Sequence, residues 1–529
     1  MKKLFSICLL ALMSLSVMAQ VDRVVRGNCT PPPDDVAVAE APNAQRQYHR
    51  LPAVSKGWDA NRIYHQLVIL FEFKGDSTYF KEEDPKAQYE SLLNTTGFVH
   101  RKGVGCMADY FRVQSNGLFN VQFDIFGPYQ VSGKSQPFDN PSENSKNYGR
   151  ESMIEATKMF LAEEPQTDFS QYDWNNDGYV NQVIYIYAGV TGNQSSPLCY
   201  GHIWPNTSSF SSVTTPDGKL ISNYTASAEL WSNSTSCGIG TICHEYTHSL
   251  GLPDIYPTGS SSSLPFSVCD EWDLMDGGNF TNYGSCPPNY TALEKHLLGW
   301  LDYNELTEPT TIEDMKPLSE GGKAYVVKHT DNEYLLLENR QQRDWDKGTP
   351  GQGLVVYHVN YKAGKWSANT VNNTLNQPNF ALVHADGLDY DAWTSLLYQW
   401  GKKSNYQNAS FMNSWYLSSS PYPYVVDSLG VQNDSLTNNS VPSTKMYNNN
   451  SDGEELLSKP ITNIRMSADG LVSFDFMGGT VTPVTAIRQH SDQQTTTCFD
   501  LNGLPCKEPR KHGLYMERKA DGTVRKVLK

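Results

Sequence analysis

Thr241-Ile242-Cys243-His244-Glu245-Tyr246-Thr247-His248-Ser249-Leu250-Gly251-Leu252-Pro253-Asp254 opens with three apolar or neutral residues and continues as H-E-x-x-H-x-x-G-x-x-D. On a helix, four residues make about 1.1 turns, so His244 and His248 project from one face, one above the other. Two neutral imidazoles suit Zn²⁺, and Glu245 lies beside them, within reach of a water on the metal. Coordination lowers the pKa of such a water towards ~7, and a carboxylate can then take its proton as it attacks a peptide carbonyl. A catalytic zinc needs three protein ligands and one open position. Gly251 can end the helix in a left-handed conformation and turn the chain, bringing Asp254 back as the third ligand. A chance H-E-x-x-H in a chain of this composition is on the order of one in a hundred, and the continuation to Asp254 makes it rarer.

Working outward, Trp272-Asp273-Leu274-Met275-Asp276-Gly277-Gly278 follows the motif. Alone it would be an ordinary turn with a core methionine. Downstream of an extended zinc motif it reads as a Met-turn, with Met275 forming an apolar floor beneath the ligands and not itself a ligand. Two further stretches follow: Pro288-Asn289-Tyr290-Thr291-Ala292-Leu293-Glu294-Lys295 with Leu298-Gly299-Trp300-Leu301, and Leu337-Glu338-Asn339-Arg340-Gln341 with Pro350-Gly351-Gln352-Gly353-Leu354 and Tyr357-His358-Val359. With these the chain resembles the immune inhibitor A-like family of secreted bacterial zinc metallopeptidases, from roughly Leu67 to Phe476. The resemblance implies His244, His248 and Asp254 as zinc ligands, Glu245 as general base, and protein or peptide substrates. It also implies a metzincin-like catalytic domain followed by a β-rich domain. The family's usual long N-terminal region is nearly absent here, which leaves the latency mechanism open.

The flanking sequence supports an α+β architecture. Tyr64 to Phe73 is an apolar, β-branched and aromatic run expected to be a buried strand, and Phe119 to Ile125 alternates as a half-exposed one. Gly105 to Ser115 and Ser152 to Ala162 carry helical spacing, and Val183 to Tyr187 reads as another strand. Beyond residue 310, short runs at 325–327, 334–338, 354–359 and 471–476 recur between Gly, Asn and Asp clusters. They predict an all-β, sandwich-like module. The expected organisation is residues 1–19 as a signal peptide, 20–60 as a short pro-segment or linker, and 61–305 as the metallopeptidase domain. A β-rich domain at 310–480 and a basic tail at 484–529 complete it.

Composition and termini set the context. Lys2 and Lys3 precede a short apolar run from Leu4 to Leu15 and the small residues before Gln20, the layout of an export signal. No other segment approaches the roughly 18 apolar residues of a membrane span. The chain is therefore expected to be secreted. Its net charge of −15 lacks the clustered basic surface that nucleic acid demands. Cys8 aside, the nine cysteines form an odd set in which some are expected to pair.

Asp173, Asn175, Asp177, Tyr179 and Asn181 fit the opening of an EF-hand-type Ca²⁺ loop, although Ile184 stands where the bidentate glutamate belongs. The alternative is an Asx-rich turn. Cys29 in a Pro-rich stretch is either a linker cysteine or a thiolate that caps the zinc. The tail around Cys498–Gly503 and Gly513–Tyr515 either resembles a sorting segment for export or surface attachment, or is solvated, with a Cys498–Cys506 hairpin.

Overall fold

The computed structural model describes residues 57–142, 145–194, 196–232, 234–258, 268–374, 377–387 and 417–480, with the backbone of four short strands between 497 and 528. The export signal, the pro-segment and Cys29 lie outside the described residues.

The first half builds one mixed sheet. Strands β1 (Ile63–Phe73), β2 (Asn120–Val131), β3 (Val183–Val190), β4 (Asn206–Thr214) and β5 (Leu220–Leu230) lie in the order β2-β1-β3-β5-β4. The first four of that order run parallel, and β4 alone is antiparallel, at one edge. Alternation decides which face each residue serves: on β1, Tyr64, Val68 and Leu70 join one core, while Leu67, Ile69, Phe71 and Phe73 join the other. A sheet buried on both faces explains why β1 reads as a nearly unbroken apolar run. Helices α1 (Pro85–Asn94) and α2 (Met107–Gln114) pack on the first core, and α3 (Arg150–Glu163) on the second. Helix α2 starts with a reciprocal cap between Cys106 and Asp109.

Helix α4 (Gly240–Ser249) carries the H-E-x-x-H residues, and all ten of its residues are buried. It starts at a close approach, since a Cβ on Gly240 would lie 2.2 Å from the Asn279 carbonyl oxygen. Helix α5 (Ala292–Leu297) follows, capped reciprocally by Thr291 and Glu294.

The second half is rich in strands. β6 (Asn304–Glu305), β8 (Tyr325–Lys328), β9 (Glu333–Arg340), β10 (Gly353–Asn360) and β11 (Phe380–Leu382) form a five-stranded sheet, and in another β13 (Val472–Phe476) lies between β7 (Thr310–Met315) and β12 (Ile461–Met466). Leu335, Leu337 and Val356 point to a core shared with Ile312, Ile464 and Phe474 of the smaller sheet. Leu336, Val355, Tyr357 and Val359 face the opposite way, into the core that also holds Ile242, Tyr246 and Met275.

Residues up to 480 form one compact unit, within which the region at 305–310 lies. The 310–480 region is also not purely β, since α6 (Ala363–Ser367) follows β10. In the separate unit from 481 to 529, four antiparallel strands pair, with Cys498 opposite Cys506 in register. The expectation of paired cysteines is corrected for the six described by side chain: all are buried free thiols, packed as small apolar residues.

Candidate metal centre

Helix α4 leaves its ligand face through a sharp turn. The helix ends at Ser249, Gly251 adopts φ of 106°, and the chain doubles back through Pro253 to Asp254. The result gathers His244, His248 and Asp254 so that one ligand atom from each lies within 4.8 Å of the others. Asp254 Oδ1 is 3.2 Å from Nε2 of both His244 and His248.

The ring orientations are fixed from behind. His244 Nδ1 lies 2.8 Å from the Leu274 carbonyl oxygen, and His248 Nδ1 lies 2.9 Å from that of Leu252. Those carbonyls accept the Nδ1 protons, which turns both Nε2 atoms inward. Leu274 belongs to the turn that also buries Met275, whose own N–H bonds Asp273 Oδ1 at 2.7 Å and whose carbonyl accepts from Ile255 at 2.8 Å. The Met275 side chain is fully buried in the first core.

A metal fits this set. His244 Nε2, His248 Nε2, Asp254 Oδ1 and Glu245 Oε1 are all buried without a hydrogen-bond partner, a costly arrangement unless something else satisfies them. Burial opposes charge on His248, but the Asp254 carboxylate overrides it and lifts the imidazole to about 9. Burial opposes the Asp254 charge too, and His248 and His244 overcome it, holding the carboxyl below its usual range. The centre therefore calls for positive charge, and two imidazoles with one carboxylate are donors suited to Zn²⁺. Burial pushes the Glu245 carboxyl up, against the pull of His244 and His248. The helix backbone beneath is tied to the sheet, since Thr207 Oγ1 on β4 donates to the Glu245 carbonyl at 2.5 Å.

A sequence model of the immune inhibitor A peptidase M6 catalytic domain matches residues 58–301. That segment is similar to the immune inhibitor A peptidase family. Among curated relatives, an Immune inhibitor A of Bacillus thuringiensis subsp. alesti is 22% identical over 398 residues, covering 64% of this chain and 54% of its own. The Pre-pro-metalloprotease PrtV of Vibrio cholerae serotype O1 (strain M66-2) is 21% identical over 284 residues, covering 47% of this chain and 30% of its own. The chain thus spans about half of the first relative's length and less of the second's. Within the peptidase segment, the described residues contain no helix long and apolar enough to cross a membrane.

Other residues singled out from the sequence have local duties. Asp173 accepts from the Asp177 and Gly178 N–H groups at 3.0 and 3.1 Å, and its Oδ2 lies 2.7 Å from Lys219 Nζ. Asn181 Oδ1 accepts from the Trp174 N–H, and Asn175 Nδ2 donates to Asp177 at 2.9 Å. The loop is an Asx-rich turn closed by a lysine, and this geometry lends calcium no support. Tyr290 hydrogen-bonds Thr247 of α4, and Glu229 anchors the Lys81 and Gly189 N–H groups. His65 pairs with Asp124 and His358 with Glu333.

One participant was not foreseen. Asn369, from the turn after α6, donates from Nδ2 to Asp254 Oδ2 at 2.8 Å and accepts the Asp254 N–H at 2.7 Å. Its only mark in the sequence is an asparagine cluster at 369, 372 and 373, a pattern that ordinarily signals a turn.

Proposed function

We propose that this chain is a zinc metalloendopeptidase that hydrolyses peptide bonds of extracellular proteins, with His244, His248 and Asp254 as ligands and Glu245 as general base. The observation that carries the reading is the set of three unpartnered, buried ligand atoms of His244, His248 and Asp254, converging from one helix and the turn behind it. A bound zinc would supply Lewis acidity to the scissile carbonyl and to the attacking water.

The chain's own residues supply the rest. The Leu274 and Leu252 carbonyls hold both imidazoles in the tautomer that binds through Nε2. Glu245, whose carboxyl burial pushes up, takes the proton from the attacking water and can return it to the leaving amine. A cleft beside His248, lined by Gly251, Leu252, Pro253, Trp366 and Asn369, offers an apolar wall to a substrate side chain. Export rests on the amino-terminal signal read from the sequence.

A secreted binding protein with a vestigial peptidase fold is the competing class, and the intact Glu245 speaks against it. The test is casein hydrolysis by the purified chain and by Glu245→Gln, with metal content measured in both. The variant keeps the ligands and removes the base, so it should bind a full equivalent of zinc and lose roughly 10²–10⁴ in rate. A parent without activity, or a variant as active as the parent, would overturn the assignment.

A further inference from the structure

Asp254 is the one ligand that does not come from helix α4, so its orientation depends on what the turn after the helix packs against. Its two carboxylate oxygens have separate surroundings. Oδ1 faces the imidazoles at 3.2 Å, whereas Oδ2 takes its hydrogen bond from Asn369. Asn369 also accepts the backbone N–H of Asp254, so one side-chain amide grips this residue at both its backbone and its carboxylate. The neighbouring residues reinforce the joint: Asn372 donates to the Ile255 carbonyl at 2.8 Å, and Asn373 accepts the Thr258 N–H at 2.8 Å. Asn369 adopts φ of 55°, a left-handed conformation that asparagine tolerates better than most residues.

We propose that Asn369 is a positioning residue of the metal centre, supplied from outside the peptidase segment at 58–301, and that it tunes zinc affinity by fixing the Asp254 carboxylate. This rests on the zinc reading above. Outer-shell partners that orient a ligand carboxylate commonly change metal affinity by about 10–100-fold when removed. The amide donor orients Oδ2 outward and leaves Oδ1 directed at the imidazoles. Losing it frees the carboxylate to rotate.

Zinc dissociation constants of the full chain, from competition with a chromophoric chelator, test this in the parent, Asn369→Gly, Asn369→Asp and Asn373→Ala. Glycine suits the positive φ, so the fold should survive its introduction. Aspartate keeps the acceptor for the Asp254 N–H but replaces the donor with a repelling oxygen. Both Asn369 variants should bind zinc about 10–100-fold more weakly, and the Co²⁺-substituted visible spectrum should shift. Asn373→Ala, which loosens the same loop without touching Asp254, should bind zinc as the parent does. Asn369 variants with parental affinity, or an equal loss in Asn373→Ala, would reduce Asn369 to a loop tether. A parent that takes up no zinc would instead remove the metallopeptidase reading, and this proposal with it.

Discussion

At the scale of single residues, the centre depends on conformations that few side chains can adopt. Gly251 sits at φ of 106°, beyond the left-handed well that asparagine or aspartate can share, and there it turns the chain from helix to ligand. Forcing a Cβ into that backbone should cost roughly 1–3 kcal/mol. Gly251→Ala is therefore expected to lose about that much stability in urea denaturation, and to weaken zinc binding because Asp254 lies on the far side of the turn. An unchanged midpoint and slope would mean that the turn relaxes at no cost. The histidines show the complementary principle. Each imidazole commits Nδ1 to a backbone carbonyl, so the nitrogen facing the cluster is Nε2 in both.

At the scale of elements, the turn containing Met275 and the short helix α5 are joined through two buried acids. Asp273 is held well above the usual carboxylate range by burial and then by the charges of Glu294 and Asp276. Burial raises Glu294 to about 7, against the opposing pull of Thr291, Asp273 and Arg340. A folded-state pKa above the unfolded value means that the folded chain holds extra protons between the two. The associated stability is complete below about pH 4.3, the unfolded glutamate value, and is lost as pH rises through about 7. Glu294→Gln keeps an acceptor for the Thr291 N–H and removes one ionisation. Its melting temperature should fall less steeply than the parent's between pH 5 and about 7.5. Parallel curves for the two proteins would show that the pair does not titrate in this window. The strands tell a related story about legibility. β1, β3, β9 and β10 were readable as apolar runs, whereas β4, with its Ser- and Thr-rich Asn206–Thr214, carries no such pattern because it lies at the sheet edge. Helix α5 was hidden for a different reason: six residues are too few to establish a period.

At the scale of the whole molecule, the β-rich half completes the core of the peptidase half. Leu336, Val355, Tyr357 and Trp345 fill the same cluster as Tyr110, Tyr290 and Trp300. Charged groups are buried at the joint as well. Arg340 reaches the Trp272 and Asn289 carbonyls at 3.3 and 3.1 Å while paired with Asp346 and Glu338. The Ala292 N–H in turn donates to Glu338 at 2.7 Å. A fragment ending near residue 305 would expose this apolar face and strip the N–H and C=O groups of their partners. Residues 57–305 alone are expected to be insoluble or to lack near-ultraviolet circular dichroism, while the chain through residue 480 gives a cooperative transition. A soluble, cooperatively folding short fragment that binds zinc would contradict the shared core.

What the sequence determined unaided was whatever depends on spacing within one element. The i, i+4 histidines, the glutamate between them, the glycine at the turn and the methionine turn all have meanings set by local backbone geometry. The convergence of His244, His248 and Asp254 needed only a helix and a reversal. Tertiary structure alone decided that Asn369, more than a hundred positions from Asp254, grips it. It alone put Lys219 against Asp173, where the loop pattern suggested an ion, and folded two apparent domains around one core. Those outcomes rest on contacts between distant segments. An asparagine in a turn or a lysine ahead of a strand looks the same in sequence whether or not its partner arrives.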